Sequence, residues 1–143
     1  MPVKSQNRPI LLIEDNPMDE DLTRRAFVRR KVINPIEVAR DGEAALEYLN
    51  RWQAGNPLPV VILLDINLPK VNGLEVLSQF KASPYAQKVP IIVLTSSAED
   101  RDIQTAYQLG ANSYIVKPVD FEKFLEVAGQ IDLYWNVINI PPQ

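Results

Sequence analysis

The sequence predicts an α/β fold, a doubly wound parallel sheet of five strands covered by five helices. Short unbroken runs of β-branched and leucine residues, such as 60–64 and 91–94, are typical of strands buried on both faces of a parallel sheet. Longer segments with helical spacing of their apolar residues alternate strictly with these runs. This alternation implies right-handed crossovers with helices on both faces of the sheet.

The five predicted strands differ in how apolar they are. Residues 10–13, 60–64 and 91–94 are continuous apolar runs and are predicted to be the central strands. Residues 36–39 and 113–116 are shorter or interrupted by polar residues, which favours positions nearer the sheet edges.

The first three predicted helices have apolar stripes, and two have clear start signals. Asn16 is predicted to cap the first helix, with Pro17 at a position where a missing N–H costs nothing. The acidic residues 19–21 are assigned only to the favourable electrostatics of that helix N-terminus, and the second helix follows Asp41. The side chains expected to face the core are Leu22, Ala26 and Phe27 in the first helix, Ala45, Leu46 and Leu49 in the second, and Leu74, Leu77 and Phe80 in the third.

The last two predicted helices are also amphipathic. The fourth opens with Ser97 and Asp100, spaced like a capping box, and stops at Gly110, while the fifth starts at Asp120. The side chains expected to face the core are Ile103, Ala106 and Tyr107 in the fourth helix and Phe121, Phe124, Leu125 and Ala128 in the fifth.

Composition limits the classes of function. A chain of 143 residues with 46% apolar content fits one compact domain, and a net charge of -3 argues against nucleic acid as a partner. With neither Cys nor His, the chain has no thiolate or imidazole metal ligand and no histidine-dependent nucleophile. Because it lacks a membrane-length apolar run and a signal-peptide block, no membrane partner and a cytoplasmic location are expected.

Polar side chains follow four of the predicted strands at the point where each strand ends. In an open parallel sheet these carboxyl ends lie along one edge, where ligands bind. The topology therefore brings distant residues together at that edge: Glu14 and Asp15 after the first strand, Asp65 after the third, Thr95 at the end of the fourth and Lys117 after the fifth.

These side chains predict a phosphate chemistry that depends on a hard cation. Three carboxylates so close together repel one another and either take up protons or gather a cation. All the candidate ligands are oxygens, which favours Mg²⁺, and Mg²⁺ held by few carboxylates usually accompanies a phosphate. Lys117, the Thr95 hydroxyl and backbone N–H groups after Asp65 are suited to bind that phosphate. Asp65 is assigned as the nucleophile that forms an aspartyl phosphate.

Five motifs in order resemble the response-regulator receiver domains of two-component signalling. The resemblance covers residues 8–134 and implies the flavodoxin-like form of the fold, with strand order 2-1-3-4-5. The segments IEDNPMDEDL and RWQAGNPLP are more narrowly similar to stand-alone regulators paired with phytochrome histidine kinases. The five motifs are IEDNP at 13–17, LLDINLP at 63–69, NG at 72–73, LTSS at 94–97 and YIVKP at 114–118.

The resemblance implies roles for the acidic residues and their neighbours. Asp65 accepts a phosphoryl group from a histidine kinase. Asp15, Asp65 and the backbone carbonyl of Asn67 hold Mg²⁺, with Glu14 nearby through water. Asn67 and Ser97 flank the water that hydrolyses the phosphoryl group and so tune its lifetime.

The resemblance also implies a switch. Thr95 and Tyr114 form it, Lys117 contacts the phosphoryl oxygens, and the peptide bond before Pro118 is cis, which X-Pro bonds tolerate. Phosphorylation is expected to draw in Thr95 and Lys117 and let Tyr114 move inward. A plain core role for the Tyr114 ring remains open.

Two features depart from the common pattern. Ser96 stands where the family usually has Ala or Gly, so an altered preference for phosphodonors is expected. Residues 135–143 extend past the usual end of the domain and contain the apolar side chains Trp135, Val137, Ile138 and Ile140. This C-terminal arm is expected to pack on a second copy to form a homodimer, and the alternative is that it folds back on its own domain.

The sequence favours a signalling phosphoacceptor that is not an enzyme, and two other functions are the alternatives. A Mg²⁺-dependent phosphatase with an aspartyl nucleophile typically keeps a second aspartate two residues later as general acid and base, and here that position is Asn67. A nucleotide-binding module needs a glycine-rich loop after the first strand, whereas EDNPMD is acidic and has no glycine. With no further domain expected after residue 143, the signal is expected to leave through a partner, a dimer interface or onward phosphotransfer.

Overall fold

A computed structural model describes residues 8–117 and 120–133, except the side chains of residue 127 and residues 130–133. Strands and helices alternate five times, and their order along the chain is β1 Ile10–Ile13, α1 Pro17–Arg29, β2 Ile36–Ala39, α2 Gly42–Gln53, β3 Val61–Leu64, α3 Gly73–Ala82, β4 Ile91–Thr95, α4 Asp100–Gln108, β5 Ser113–Val116 and α5 Phe121–Leu133. Within the described ranges, no helix is both long and apolar enough to cross a membrane.

The strands form one parallel sheet in the order β2-β1-β3-β4-β5. This order confirms the flavodoxin-like fold, with the three apolar runs at the centre and the two mixed runs at the edges. Ile13 is in register with Leu64, so the next residues, Glu14 and Asp65, leave the sheet side by side. Thr95 is in register with Val116, which places Lys117 at the same edge.

Apolar side chains fill two cores, one on each face of the sheet, because successive strand residues point to opposite faces. The core under α2, α3 and α4 contains Trp52 and Phe80, whose rings meet edge to face at 5.1 Å. The core under α1 and α5 contains Phe27 and Phe124. The two cores pack on opposite faces of one sheet, and the strand ends of that sheet form the edge where the acidic residues lie.

Side-chain caps start four of the helices. Asn16 caps α1 as predicted. The second helix follows Asp41, as predicted, and the Asp41 side chain caps it, while Asn72 caps α3 by accepting a hydrogen bond from the Leu74 N–H at 2.8 Å. Asp120, where the fifth helix was predicted to start, accepts a hydrogen bond from the Lys123 N–H at 2.9 Å at the beginning of α5.

The capping box predicted for α4 from Ser97 and Asp100 is wrong. Its N-cap residue is Glu99, which makes no side-chain cap hydrogen bond. The Ser97 hydroxyl donates to Asp102 rather than taking part in a capping box with Asp100.

The helices bury most of the apolar faces predicted for them. In α2, Tyr48 and Trp52 are buried more deeply than the predicted Leu46 and Leu49, which pack at the margin of the core. Tyr107 of α4 was predicted to face the core but is 49% exposed. Helix α4 packs at the edge of the sheet beside β5. Among its nine residues only Ala106 is fully buried.

The connection between β3 and α3 folds tightly against the start of α2. Gly73 donates a backbone hydrogen bond to Ile66, and a Cβ at Gly73 would lie 2.3 Å from the Ile66 Cα and 2.5 Å from the Asp65 carbonyl oxygen. Gly42 is equally constrained, since a Cβ there would lie 2.0 Å from the Val71 carbonyl oxygen. Both glycines therefore allow a close backbone approach that fixes the loop after Asp65.

The connection between α2 and β3 lies at the opposite edge of the sheet. Its residues 53–57 are exposed, and Gly55 has a φ of 103°, with open space within 4 Å of the point where a Cβ would stand. Arg8 ties the following segment down by donating hydrogen bonds to the carbonyls of Leu58 and Pro59, both at 2.9 Å. The tip of this connection thus projects away from the strand ends that carry the acidic residues.

Candidate functional site

Asp65 occupies the centre of the candidate site, directly after β3. Its N–H donates to the Ile13 carbonyl at 3.0 Å, and its carboxylate is almost fully buried. One carboxylate oxygen, Oδ1, accepts a hydrogen bond from the Asn67 N–H at 2.9 Å, and the other, Oδ2, lies 3.1 Å from the Lys117 ammonium. Both oxygens are therefore held in a fixed orientation by partners on two different loops.

Glu14 and Asp15 bring two more carboxylates beside Asp65. The Glu14 N–H donates to the Ala39 carbonyl and so extends the pairing of β1 with β2 by one residue. Glu14 is only 3% exposed, whereas Asp15 is exposed. One carboxylate oxygen from each of the three residues lies within 4.8 Å of the others. The predicted convergence of acids from separate loops is thus present.

Lys117 enters the site from β5. Its N–H donates to the Thr95 carbonyl at 2.7 Å, which continues the pairing of β4 with β5 by one residue. Its ammonium contacts the carboxylates of Glu14 at 2.5 Å, Asp19 at 2.8 Å and Asp65 at 3.1 Å. The contact with Asp19 was missed, because a first-turn acid of a helix already has an ordinary explanation in the helix dipole.

Burial and the neighbouring charges together determine the pKa values of Glu14 and Lys117. Burial raises the pKa of Glu14 to about 7; Lys117 lowers that pKa in part, and the nearby Asp65 carboxylate raises it further. Burial by itself would lower the pKa of Lys117, but its hydrogen bonds to Asp19 and Glu14 outweigh this effect and leave the pKa above its ordinary value. Lys117 therefore stays charged, and Glu14 is the carboxyl most ready to take up a proton.

The donor set fits a hard divalent cation. The clustered ligand atoms are carboxylate oxygens, and one of the three acids, Asp15, is exposed, which leaves room for the water ligands that Mg²⁺ retains. Three carboxylates, Glu14, Asp15 and Asp65, lie beside one ammonium, that of Lys117, so their negative charge is only partly neutralised. The described residues thus offer both the ligand chemistry and the uncompensated charge for such an ion.

Asn67 links the loop after Asp65 to the end of β4. Its side-chain amide donates to the hydroxyl oxygens of Thr95 and Ser96, both at 3.3 Å. Thr95 is fully buried, whereas Ser96 is exposed and lines the open cleft above Asp65 together with Met18 and Pro17. A group that arrives at Asp65 therefore passes Ser96 and lies next to the Asn67–Thr95 contact.

Ser97 is anchored away from the acidic cluster. Its hydroxyl donates to Asp102 Oδ2 at 2.5 Å and accepts a bond from the Glu99 N–H at 3.4 Å. Its backbone carbonyl accepts a 2.8 Å hydrogen bond from the Tyr114 hydroxyl. Burial raises the pKa of Tyr114, so its hydroxyl remains a donor at neutral pH. Asp102 was missed in the sequence because Ser97 was assigned to hydrolysis and to a cap instead.

Most of the predicted site residues lie together at the carboxyl edge of the sheet. Asp65, Glu14, Asp15 and Lys117 form the cluster itself, while Tyr114 and Ser97 meet one another beside β5. Asn67 and Thr95 connect the two groups. Pro118 and the proposed dimer arm, with Trp135, Val137, Ile138 and Ile140, lie outside the described residues.

Sequence comparison identifies one family and several relatives. The response regulator receiver domain model matches residues 10–128. The probable methanogenesis regulatory protein FilR2 of Methanothrix harundinacea is 46% identical over 134 residues, which cover 93% of this chain and 86% of FilR2. Response regulator Rcp1 of Synechocystis is 33% identical over 135 residues, which cover 92% of each protein.

Solved structures give the same result. The phosphorylated cyanobacterial phytochrome response regulator RcpA superposes with a TM-score of 0.82 and is 33% identical, covering 96% of this chain and 99% of RcpA. The Mn²⁺-bound form of Rcp1 has a TM-score of 0.80 and 31% identity, covering 95% of this chain and 99% of Rcp1. Both neighbours therefore match the fold of this chain over nearly its whole length.

Proposed function

Because the chain belongs to the response regulator receiver domain family, we propose that it accepts a phosphoryl group from a histidine kinase on Asp65. The observation that carries this proposal is the position of Asp65, which is buried, fixed by two partners and surrounded by Glu14, Asp15 and Lys117. The family acts as a signalling phosphoacceptor, and we propose the same role here rather than that of an enzyme.

In the proposed reaction, an Asp65 carboxylate oxygen forms a bond to phosphorus as the bond between phosphorus and the imidazole nitrogen of the kinase phosphohistidine breaks. The electron pair of that bond goes to the imidazole, which takes up a proton. The Asn67 N–H holds Asp65 Oδ1, and Lys117 sits beside Oδ2 where the transferred oxygens gather charge. The positions of both donors favour a fixed angle of attack on the phosphoryl group.

The residues that would hold Mg²⁺ are Asp15, Asp65 and the backbone carbonyl of Asn67, with Glu14 nearby through water. When bound, Mg²⁺ neutralises part of the charge that repels a phosphoryl group from the carboxylates. A relative, Rcp1, has been solved with Mn²⁺ bound, which supports a divalent cation at this cluster. Asp65 takes part in both functions, so metal binding and phosphorylation depend on the same carboxylate.

The proposed switch runs from Thr95 to Tyr114. A phosphoryl group on Asp65 offers acceptor oxygens next to the Asn67–Thr95 contact, so the Thr95 hydroxyl can exchange partners. Movement at the end of β4 reaches Ser97, whose carbonyl holds the Tyr114 hydroxyl. Asn67 and Ser97 are the residues we propose to tune hydrolysis, although the Ser97 hydroxyl must first leave Asp102 to act on a water.

We infer that the partner kinase is a phytochrome photoreceptor, because RcpA is a phytochrome response regulator that matches almost all of this chain. FilR2 is a probable methanogenesis regulator, so a kinase without a light-sensing domain is the alternative. Phosphotransfer rates from a purified phytochrome kinase and from a non-photoreceptor kinase decide between them. Preference for the second kinase would reject the phytochrome pairing and keep the receiver function.

We propose that the protein is a single-domain cytoplasmic regulator that signals through altered contacts with a partner or within a dimer. Its receiver part comprises residues 8–134, and residues 135–143 form the arm that we propose joins two copies. The relatives support the single-domain extent alone, since the chain covers 99% of RcpA and 92% of Rcp1. The acidic net charge of -3 supports protein partners rather than nucleic acid.

Acetyl phosphate with Mg²⁺ tests the proposed function directly. We expect intact-mass spectrometry to detect one added phosphoryl group on the wild-type chain and none on Asp65→Asn. Rapid multiple turnover of the donor, with no accumulation of the phosphorylated chain, would support the rival phosphatase. A wild-type chain that neither gains mass nor consumes donor would reject both.

A further inference from the structure

The Lys117 ammonium has a third carboxylate partner, Asp19, in addition to Glu14 and Asp65. The distance to Asp19 Oδ2, 2.8 Å, is shorter than the 3.1 Å to Asp65 Oδ2. An ammonium group has three N–H donors, and here each faces a carboxylate. Lys117 therefore has no donor left over for an incoming group.

Asp19 is held in place by its own helix. It lies in the first turn of α1, where its N–H donates to Asn16 Oδ1 at 3.2 Å and its carbonyl accepts the Thr23 hydroxyl at 2.7 Å. Its side chain is 24% exposed and lines the open cleft above Asp65. The backbone of Asp19 is thus fixed independently of Lys117, while its carboxylate reaches into the site.

Phosphorylation changes the other two partners of Lys117 but not Asp19. Asp65 loses its charged carboxylate when the P–O bond forms, and its phosphoryl oxygens become the strongest new acceptors nearby. Glu14 lies close enough to Asp15 and Asp65 to interact with a bound cation, which would compete with Lys117 for its carboxylate. Asp19 keeps its full negative charge, and so it continues to hold the ammonium toward α1.

We propose that Asp19 is a positioning residue that restrains Lys117 and thereby slows phosphoryl transfer to Asp65. This inference rests on the proposed function, because it concerns the rate of that reaction. The transfer requires one Lys117 N–H to leave a carboxylate for a phosphoryl oxygen. Removing the charge of Asp19 weakens its hold on that N–H.

Asp19→Asn tests this role because it removes the charge while keeping the size and an oxygen acceptor. We expect the rate constant for phosphorylation by acetyl phosphate with Mg²⁺ to rise about three- to tenfold, as removal of one partly buried ion-pair charge suggests. Asp19→Glu retains the charge and should stay near the wild-type rate. An unchanged or slower Asp19→Asn variant overturns the inference.

Asp21→Asn is the matched control, because it makes the same charge change on the same helix. Asp21 pairs with Arg25 at 2.9 Å and its side chain is 57% exposed. We expect its phosphorylation rate to equal that of the wild type. An acceleration of the same size as that of Asp19→Asn would mean that general charge, not the hold on Lys117, controls the rate.

A second donor separates restraint of Lys117 from simple repulsion of the donor. Phosphoramidate carries less negative charge than acetyl phosphate, so repulsion by Asp19 would affect it less. Restraint of Lys117 predicts the same acceleration with both donors, and an acceleration seen only with acetyl phosphate overturns the inference. If neither donor phosphorylates the wild-type chain, the proposed function itself is rejected. If the wild type is phosphorylated and Asp19→Asn reacts at the same rate, only the role of Asp19 is rejected.

Discussion

The hydroxyl of Tyr114 donates a 2.8 Å hydrogen bond to the backbone carbonyl of Ser97. This bond ties the edge strand β5 to the connection that leaves β4. The Ser97 hydroxyl in turn bonds Asp102 on α4 at 2.5 Å. Tyr114 and Asp102 therefore restrain the same residue from two sides, and we expect movement of Ser97 to affect both β5 and α4.

Tyr114→Phe removes this bond and keeps the ring. We expect the free energy of unfolding to fall by about 1 kcal/mol, the usual net value of one hydrogen bond, in chemical denaturation. The phosphorylated variant should also show smaller amide chemical-shift changes in α4 and β5 than the phosphorylated wild type. Tyr107→Phe, on the exposed side of α4, serves as the control, and identical shift changes in wild type and Tyr114→Phe would contradict the switch.

Glu14 should make stability depend on pH in the absence of divalent ions. Burial raises its pKa to about 7 from an ordinary value of 4.5, so between these values the folded protein binds a proton that the unfolded chain lacks. The stability contributed by Glu14 is full below about pH 4.5 and is lost as the pH rises through 7.

Glu14→Gln therefore should be more stable than the wild type at pH 8, by up to about 3 kcal/mol, and this advantage should vanish below about pH 5. Denaturant melts in EDTA across this range measure the difference. Glu43→Gln, at an exposed position, should show no such trend. A constant difference between Glu14→Gln and wild type at all pH values would contradict the raised pKa.

Divalent cations should stabilise the folded chain through the acidic cluster. Saturating MgCl₂ or MnCl₂ is expected to raise the melting temperature of the wild type, because a ligand that binds only the folded state shifts the equilibrium toward it. Asp15→Asn removes an exposed acid of the cluster and should lose most of this increase. Asp21→Asn should keep it, and a wild type indifferent to both cations would contradict the metal site.

Gly73→Ala should disturb the loop that carries Asp65. The added Cβ would lie 2.3 Å from the Ile66 Cα and 2.5 Å from the Asp65 carbonyl oxygen, so the backbone must move. We expect a loss of about 1–3 kcal/mol in the free energy of unfolding, together with weaker Mg²⁺ binding in calorimetry. Alanine at exposed Glu75 of the same helix is the control, and wild-type metal affinity in Gly73→Ala would contradict this reasoning.

Deletion of residues 135–143 tests the dimer arm predicted from the sequence. Four apolar side chains in a short terminal segment favour burial against another surface. We expect the full chain to have the mass of a dimer by light scattering and the truncated chain that of a monomer. A truncated chain that remains a dimer would show that another surface joins the copies.

The sequence predicted the sheet and its acidic edge because apolar runs determine strand ends directly. Ile13 and Leu64 end two neighbouring strands in register, and so the next residues, Glu14 and Asp65, had to meet. The contact between Asp19 and Lys117 has no such local rule, since it joins residues 98 positions apart through the rotamers of two side chains. Ser97 was assigned to the wrong partner for a related reason, because its hydroxyl had several acceptors within a few residues.

The exposed turn around Gly55 has a practical consequence, because it points away from the strand ends that perform the chemistry. Apart from Gly55 and its two chain neighbours, no described residue comes within 4 Å of the position that a Cβ would take at Gly55, and residues 53–57 are exposed. Loop tips of this kind tolerate insertions well. A fluorescent label or an affinity tag inserted there should therefore leave the phosphorylation chemistry intact.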